Sequence, residues 1–369
     1  MYLIIGSGLS GAVLAEQIAN RGEKVTVIEK RDHIGGNCFD YIDESTGIRV
    51  SKYGAHLFHT NSDKVWDYIN KFSKWIRWEH KVISMVENTF VPVPVNITTV
   101  NQLCNQHITN EEEMKKYMAE IQEKYSEIKN SEEMAVSRVG KELYEKMFKP
   151  YTIKQWNKDP SELDSSVLAR IPIRYDFDTR YFSDKYQALP ENGYTEFIKN
   201  ILSHPNITVH TSTDFQTYRL ETDLTQFKKI FYTGPIDEYF KGVLDKLEYR
   251  SIEFTQRVYK NMNFFQPNSV VNYPELNVPY TRIIEYKHFL NQESPDTIIV
   301  SEITTDKGEP YYPVPTKKNQ ELYEKYKEMA EREELEKSVH FVGRLANYKY
   351  FNMDQAIENA LTIFDRLFK

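Results

Sequence analysis

Apolar and polar residues follow two different periods at the start of the chain. Tyr2–Ile5 is an apolar run that ends at Gly6, residues 12–19 repeat with a helical period, and residues 24–28 are apolar again. Short apolar runs next to glycine are typical of buried strands, and apolar positions three and four apart are typical of helices. The pattern predicts a strand, a helix and a second strand.

Three segments are less regular. Residues 65–78 are amphipathic and rich in aromatic side chains. Residues 89–95 include Pro92 and Pro94, and because proline cannot donate to a strand ladder, an edge or irregular strand is predicted there. Residues 170–181 combine mixed charge with a proline, which fits a loop that moves over a site.

Residues 110–149 are predicted to form an all-helical insertion. Asn110, followed three positions later by Glu113, is a typical helix-start pair. Apolar residues then recur at spacings of three and four, which favours helix packing over a cofactor contact. They are Met114, Met118, Ile121, Tyr125 and Ile128 in the first helix and Val136, Val139, Leu143 and Met147 in the second.

The rest of the chain predicts a return to the first sheet. Short apolar runs at 207–210 and 229–233 indicate strands, and alternation over 254–303 indicates antiparallel strands. The chain ends with a predicted strand, residues 339–342, and an amphipathic helix, residues 353–368.

Composition limits the classes of partner. The formal net charge is -7 and Lys and Arg form no basic stripe, which disfavours a nucleic-acid partner. No apolar stretch approaches the roughly 20 residues of a membrane span. Two cysteines, Cys38 and Cys104, are too few for a disulfide framework or a zinc site, and no secretion signal is recognisable. A cytoplasmic protein without a metal is expected.

A glycine-rich motif lies between the first predicted strand and helix. Glycines at this spacing permit a tight turn and close approach of a pyrophosphate, and the helix N-terminus attracts phosphate. Glu29 closes the second strand, where a carboxylate accepts hydrogen bonds from a ribose. Dinucleotide binding is therefore favoured over a purely structural glycine turn. The motif consists of Gly6, Ser7, Gly8, Leu9, Ser10 and Gly11.

A second glycine pair favours FAD over NAD. Gly35 and Gly36 follow Glu29 within a few residues, and this arrangement resembles the FAD-binding signature of amine oxidase and glutathione reductase-like flavoproteins. The late sequence that ends in Gly343 and Arg344 resembles the strand and glycine that these proteins return to the flavin. A glycine loop without a ligand is the structural alternative.

Seven further motifs occur in order along essentially the whole chain, at residues 52–60, 151–156, 180–182, 232–237, 278–283, 310–313 and 343–354. Together they resemble the bacterial UDP-galactopyranose mutases. The resemblance implies a reversible, redox-neutral isomerisation of UDP-galactopyranose and UDP-galactofuranose, with N5 of reduced FAD as covalent nucleophile at the anomeric carbon. It also implies UDP-galactose as the substrate, an external reductant and a homodimer.

The expected architecture is α/β, with a Rossmann-like FAD-binding domain, an inserted helical domain and an antiparallel β-sheet domain that together enclose the substrate. The assigned stretches are 1–78, 195–245 and 310–369 for the FAD-binding domain, 96–175 for the helical insertion, and 79–95, 176–194 and 246–309 for the antiparallel sheet.

The resemblance also implies roles for substrate-binding residues. Paired guanidinium groups suit a pyrophosphate, and Arg170 and Arg282 take this role. Without the motifs, a surface ion pair would explain either arginine and helix packing would explain the aromatic residues. Phenolic contacts to phosphate are implied for Tyr181, Tyr311 and Tyr350, stacking on uracil for Tyr151, and other substrate contacts for Phe148, Thr152, Trp156, Arg250 and Asn272.

Flavin contacts are implied in the same way. His56 lies beside the flavin in the family and joins Arg170 and Arg282 as a catalytic assignment, although not as a general acid. Asp354 opens the last helix and either tunes the flavin or caps the helix. Met147 and Asn352 depart from residues that family members carry. The contacts are the glycine motif with Glu29, Lys30, Gly36, Asn37, His56, Leu57, Gly343, Arg344, Tyr350 and Asp354.

Two rival functions fit the same cofactor fold. A flavin amine oxidase-like oxidoreductase would yield a net oxidised product, and the paired arginines and phosphate-binding tyrosines argue against it. A non-catalytic FAD-binding sensor would bind FAD without redox-dependent affinity for UDP.

Overall fold

The computed structural model describes residues 1–169, 171 and 173–368. The strands are β1 (Tyr2–Ile5), β2 (Val25–Ile28), β3 (Asp40–Ile42), β4 (Arg49–Ser51), β5 (Phe58–Thr60), β6 (Trp75–Arg77), β7 (Val82–Val86), β8 (Thr89–Val93), β9 (Tyr186–Pro190), β10 (Ile207–His210), β11 (Ile230–Tyr232), β12 (Tyr249–Tyr259), β13 (Val270–Asn272), β14 (Arg282–Glu285), β15 (Thr297–Thr305), β16 (Tyr312–Pro313) and β17 (Val339–Phe341). The helices are α1 (Leu9–Ala19), α2 (Asp63–Ile69), α3 (Ile97–Leu103), α4 (Glu111–Ile121), α5 (Ser131–Leu143), α6 (Lys149–Trp156), α7 (Gly193–Ile201), α8 (Phe215–Glu221), α9 (Ile236–Tyr239), α10 (Lys317–Lys337) and α11 (Met353–Phe368).

A five-stranded parallel sheet organises the nucleotide-binding half. Its order is β10-β2-β1-β11-β17, and every neighbouring pair is parallel. Helices α1 and α11 pack against each other beside it. The sheet confirms the predicted Rossmann-like α/β fold and the strand, helix and strand at the start of the chain.

The carboxyl ends of these strands meet at one edge, which is where open parallel sheets bind their ligands. Gly6 follows β1, Glu29 follows β2, and Gly343 comes shortly after β17. Thr233, after β11, donates its hydroxyl to the Ile5 carbonyl at 2.7 Å and so ties two of these ends together. The glycine motif and the late glycine are therefore brought to one edge although they lie more than 300 positions apart.

A seven-stranded sheet forms the second layer. Its order is β16-β12-β15-β14-β13-β7-β8, and its described pairs are antiparallel apart from β13 and β7. This confirms the antiparallel strands predicted within residues 254–303. The proline-containing strand β8 lies at the end of the order, as predicted for residues 89–95.

The helical insertion has its own core. The Asn110 side chain accepts a hydrogen bond from the Glu113 amide at 3.0 Å and caps α4, as the sequence indicates. The predicted stripe is wrong at Tyr125 and Ile128, because α4 ends at Ile121. There the chain becomes extended and the Gln122 side chain donates to the Arg138 carbonyl of α5 at 2.7 Å. Residues buried in the shared core include Met114, Met118, Val136, Val139, Leu143 and Met147.

Several elements carry no clear sequence signal. The aromatic segment 65–78 divides between helix α2 and strand β6, and β6 joins the small sheet β5-β9-β6. Three-residue strands are too short to show a period. The 21-residue helix α10 is largely charged, so it lacks a wide apolar stripe and goes unpredicted.

The domain division stays a prediction. The parallel sheet draws its strands from all three stretches assigned to FAD binding. However, β9, within the stretch 176–194, pairs with β5 and β6 of the first stretch. Among the described residues, no helix is long and apolar enough to cross a membrane.

Candidate functional site

The glycine motif forms a tight turn between β1 and α1. Gly6 has φ +103°, and a Cβ placed on Gly11 would lie 2.0 Å from the Gly6 carbonyl oxygen, so strand and helix approach as only glycine permits. Helix α1 begins at Leu9, its N-cap is Gly8, and no side chain caps it. Its first amides are therefore left for an anion.

Two further glycines border this turn. A Cβ on Gly36 would lie 3.0 Å from the Gly8 Cα, and one on Gly343 would lie 2.8 Å from the Ser10 hydroxyl. The glycine pair at 35–36 and the late glycine therefore flank the N-terminus of α1. Side chains at Gly8, Gly36 or Gly343 would intrude on this edge, which fits a cradle for a dinucleotide.

Glu29 lies beside the same turn. Its carboxylate accepts hydrogen bonds from the amide and the hydroxyl of Ser7, both at 2.9 Å, and from the Arg31 amide at 3.0 Å. The Asn37 side chain accepts a hydrogen bond from Arg31 at 2.9 Å. The Lys30 Nζ lies 3.6 Å from the Glu309 Oε1, so the two side chains form an ion pair. The carboxylate predicted to bind the ribose is thus held within this turn. The side chain of Leu57, another predicted cofactor contact, is half-buried.

Arg282 lies at the centre of the predicted substrate residues. It pairs across β13 with Asn272 and across β15 with Glu302, so the three side chains share one face of the sheet. The Arg282 Nε donates to the Glu302 carboxylate at 2.5 Å. Burial lowers the pKa of Arg282, but the Glu302 charge and neighbouring tyrosines outweigh it, and the pKa lies well above its ordinary value.

Three tyrosines lie near this guanidinium, and a fourth lies beside them. Burial raises the pKa of Tyr151, Tyr181 and Tyr312, and the charge of Arg282 opposes that rise in each. Tyr350 lies close enough to interact with all three. Neutral phenols around a permanent cation form a donor-rich pocket that suits phosphate oxygens.

Tyr311 has different ring neighbours, although it also lies near Glu302. Its ring is 7% exposed, 6.3 Å from Tyr53 and 5.9 Å from Phe254. Tyr312 instead lies beside Tyr350. Successive side chains of an extended chain point to opposite sides, so only one of the adjacent tyrosines reaches the Arg282 pocket. Tyr312 is a residue that the sequence interpretation missed, although the same motif contains it.

Helix α6 carries Tyr151, Thr152 and Trp156. Thr152 is buried, and Trp156 packs in a small cluster with Leu163 and Val314, so packing accounts for its burial. Phe148 ends the π-helical turn before α6 and packs on the helical core. The substrate contacts implied for these residues stay predictions.

Two cationic side chains anchor α6 to the sheet. Lys154, which the sequence interpretation missed, donates to the Tyr273 carbonyl at 2.5 Å and the Glu275 carbonyl at 3.1 Å, and burial lowers its pKa to about 8. Arg250 donates to the Gln155 carbonyl at 3.1 Å and pairs with Asp306. Arg250 therefore caps the last turn of α6, and burial lowers its pKa.

His56 is half-buried and held by its own turn. Its Nδ1 donates to the Gly54 carbonyl at 2.9 Å. Burial lowers its pKa to about 4, and Arg344 and Arg282 reinforce the shift. The role of His56 beside the flavin stays a prediction.

Arg344 and Asp354, two of the predicted flavin contacts, lie near the start of α11. Arg344 donates to the Phe351 carbonyl at 2.8 Å, and its guanidinium lies 4.8 Å from the centre of the Tyr350 ring. Asp354 lies within the first turn of α11 rather than before it, and its buried Oδ1 accepts no hydrogen bond within the described chain. Helix capping therefore does not account for this carboxylate.

Arg170 lies outside the described residues. Within the described residues, no group of three or more His, Cys, Asp or Glu side chains is arranged to hold a metal ion.

Comparison with known proteins identifies the family. Residues 146–350 match the family model described as UDP-galactopyranose mutase. A probable UDP-galactopyranose mutase of Klebsiella pneumoniae is 37% identical over 367 residues, covering 98% of this chain and 93% of that protein. A dTDP-fucopyranose mutase of Escherichia coli is 35% identical, covering 97% of this chain and 96% of that protein. The crystal structure of a reduced UDP-galactopyranose mutase has the same fold, with a TM-score of 0.76, 17% identity and coverage of 99% and 93%.

The N-terminal segment has wider similarity. Residues 4–72 match an NAD(P)-binding Rossmann-like domain. An FAD-dependent oxidoreductase of Monascus ruber is 38% identical over 61 residues, which is 16% of this chain and 13% of that protein. These matches support a flavin as the cofactor. The resemblance carried by the seven motifs is confirmed, and the chain belongs to the UDP-galactopyranose mutase family.

Proposed function

We propose that this protein is a UDP-galactopyranose mutase, an isomerase that interconverts UDP-galactopyranose and UDP-galactofuranose without net redox change. The observation that carries the proposal is the pocket of Arg282 with Tyr151, Tyr181 and Tyr312 around it, in a chain of this family that also has a dinucleotide cradle. An amine oxidase-like site has no need of such a phosphate-binding pocket.

The residues present fit FAD in its reduced form. The uncapped N-terminus of α1 suits the pyrophosphate, Gly8 and Gly36 leave it room, and Glu29 is placed for the adenosine ribose. Arg344, the His56 turn and the orphan carboxylate of Asp354 are assigned to the flavin end. Bound and reduced, the flavin supplies the nucleophile, N5, that the anomeric carbon requires.

The chain's own residues hold the UDP leaving group. Arg282 meets the pyrophosphate charge, and the hydroxyls of Tyr181, Tyr312 and Tyr350 donate to its oxygens. These contacts keep UDP near the sugar until the glycosidic bond reforms, which is an effect of proximity. Arg170 is assigned as the second arginine by family resemblance.

The uridine and sugar are assigned to the surfaces beside this pocket. Tyr151, on α6, is placed to stack on uracil, and the backbone of Phe148 meets its edge. Asn272 lies opposite Arg282 on the neighbouring strand, where its amide reaches sugar hydroxyls. A homodimer, an external reductant and a cytoplasmic location complete the proposal.

Incubation of the purified, flavin-loaded protein with UDP-galactofuranose, with and without dithionite, tests the function. We expect chromatography to show UDP-galactopyranose only under reduction. Because the Escherichia coli relative is named for another sugar nucleotide, dTDP-fucopyranose is assayed in parallel. Turnover of that compound alone would reassign the substrate, a net oxidised product would favour the oxidoreductase, and binding without turnover would favour the sensor.

A further inference from the structure

A buried carboxylate lies behind the proposed phosphate-binding arginine. Glu302 is 2% exposed and lies directly opposite Arg282 in the pairing of β14 and β15. Its Oε2 accepts a hydrogen bond from the Arg282 Nε at 2.5 Å. Because Nε is the inner nitrogen of the guanidinium, this contact fixes the plane of the group and leaves its outer nitrogens for a ligand.

The other oxygen of this carboxylate faces a different element. Glu302 Oε1 accepts no hydrogen bond from any described residue. It lies 2.9 Å from the position a Cβ would occupy on Gly54, whose φ is +89°. The Gly54 carbonyl in turn accepts the hydrogen bond from His56. Glu302 thus stands between Arg282 and the turn of Gly54, Ala55 and His56, which we call the histidine turn.

A buried carboxylate oxygen without a donor is costly, so a functional reason for its place is expected. Packing alone does not supply one, because a hydrophobic residue would fill the same space without leaving a buried oxygen that lacks a donor. The close approach of Oε1 to Gly54 instead places the carboxylate directly against the turn that holds His56.

We propose that Glu302 is a positioning residue that sets the plane of Arg282 with one oxygen and, with its second oxygen, places a negative charge beside the histidine turn. The proposal rests on the proposed function, in which Arg282 binds the substrate pyrophosphate and the histidine turn lies beside the flavin. One carboxylate then serves both halves of the site: it orients the group that holds UDP and contributes its charge at the flavin.

Two variants separate positioning from charge and from packing. Glu302→Gln keeps the shape and removes the charge, and Glu302→Asp keeps the charge but draws it away from Gly54. Glu253→Gln is the matched control, because Glu253 is an exposed carboxylate on the adjacent strand β12. Thermal unfolding and flavin content are measured for each variant first.

Two readouts need no turnover: the Kd of UDP for the reduced protein, by calorimetry, and the midpoint potential of the flavin. For Glu302→Gln we expect UDP to bind about tenfold more weakly, since a charged hydrogen bond to Arg282 becomes a neutral one. We also expect the midpoint potential to rise, because a negative charge that opposes reduction is gone. Glu302→Asp should retain the potential and lose part of the UDP affinity, and Glu253→Gln should change neither.

The opposite results are equally clear. Tighter UDP binding by Glu302→Gln would mean that Glu302 merely competes with phosphate for Arg282. An unchanged midpoint potential in the same variant would show that the Glu302 charge does not act on the flavin. If Glu302→Gln does not fold, an Asp variant with both wild-type UDP affinity and wild-type potential overturns the proposal. A wild-type protein that fails to isomerise the sugar nucleotide refutes the proposed function instead, and these binding and redox measurements keep the two failures apart.

Discussion

Tyr312 stacks on Tyr350, with ring centroids 5.3 Å apart and planes inclined by 19°. Arg344 lies 5.3 Å from the first ring and 4.8 Å from the second, so the pair is held between this cation and the Arg282 pocket. The neighbouring Tyr311 is buried against Tyr53 instead. The two adjacent tyrosines therefore belong to different surroundings.

Tyr312→Phe should weaken binding of UDP by about 1.5–3 kcal/mol, because a hydroxyl that donates to a charged phosphate is lost. Tyr311→Phe is the matched control and should leave the Kd of UDP nearly unchanged. Calorimetry on the reduced protein measures both. The reverse order of effects would return the phosphate contact to Tyr311, as the sequence motif alone suggested.

The contrast between Tyr311 and Tyr312 shows what a sequence motif can predict and what it cannot. The motif at 310–313 locates the region correctly, but side-chain direction depends on the pairing of Tyr312 with Arg250 in the register of β16 and β12. Register is a tertiary property that no local pattern records. For the same reason the row of Asn272, Arg282 and Glu302 could not be read from the sequence, although two of its members could be named.

Local chemistry, by contrast, is predictable where glycine or a cap residue is required. The glycine motif predicts the turn before α1, and Asn110 predicts the start of α4. Prediction fails where an element owes its form to its neighbours. Strand β6 exists because β9 lies beside it, and the mostly charged helix α10 buries only Asn319, Tyr326 and Ala330.

Arg282→Ala should abolish measurable turnover while the flavin stays bound. Loss of a half-buried guanidinium that meets the pyrophosphate costs about 2–5 kcal/mol, and it also leaves the buried Glu302 unpaired. Arg257→Ala is the control, because Arg257 is exposed on β12. Steady-state rates and the visible flavin spectrum are measured together. A wild-type rate in Arg282→Ala would remove the role assigned to this residue.

Trp156→Ala tests whether a buried aromatic residue also touches substrate. Because Trp156 packs on Leu163 and Val314, we expect the free energy of unfolding to fall by about 3–5 kcal/mol. If it also contacts the substrate, the Kd of UDP-galactopyranose rises as well. Trp156→Phe preserves much of the packing and serves as the comparison. Unchanged affinity in both variants would leave Trp156 a packing residue.

His80 should make the fold sensitive to acid. It is 4% exposed, its Nδ1 has no partner among the described residues, and burial lowers its pKa to about 3. The unfolded chain takes up a proton near pH 6.5 and the folded chain does not, so stability falls as the pH drops from 6.5 towards 3. Between pH 6.5 and 4 this single group accounts for up to about 3 kcal/mol.

His80→Phe should reduce the slope of the free energy of unfolding against pH below pH 6.5. The reduction should correspond to a difference of up to one bound proton between the unfolded and folded states. Denaturant unfolding at several pH values measures the slope. His107→Gln changes an exposed histidine and should leave the slope as it is. Equal slopes in His80→Phe and the wild type would show that His80 is protonated in the folded state.

Gly36→Ala tests the cofactor cradle directly. Gly36 has φ +55°, and an added Cβ would lie 3.0 Å from the Gly8 Cα, at the mouth of the helix proposed to bind the flavin pyrophosphate. Gly47 is a matched control, since its φ is +73° but nothing lies within 4 Å of its Cβ position. Both substitutions carry the backbone cost of a left-handed residue, about 1–2 kcal/mol, and Gly36→Ala adds the close contact with Gly8, so its stability should fall at least as far as that of Gly47→Ala. Only Gly36→Ala should lose flavin, measured as the ratio of visible to ultraviolet absorbance after purification. Equal flavin content in the two variants would mean that the pyrophosphate does not pass between Gly8 and Gly36, and the cradle would have to be sought elsewhere along the carboxyl edge of the sheet.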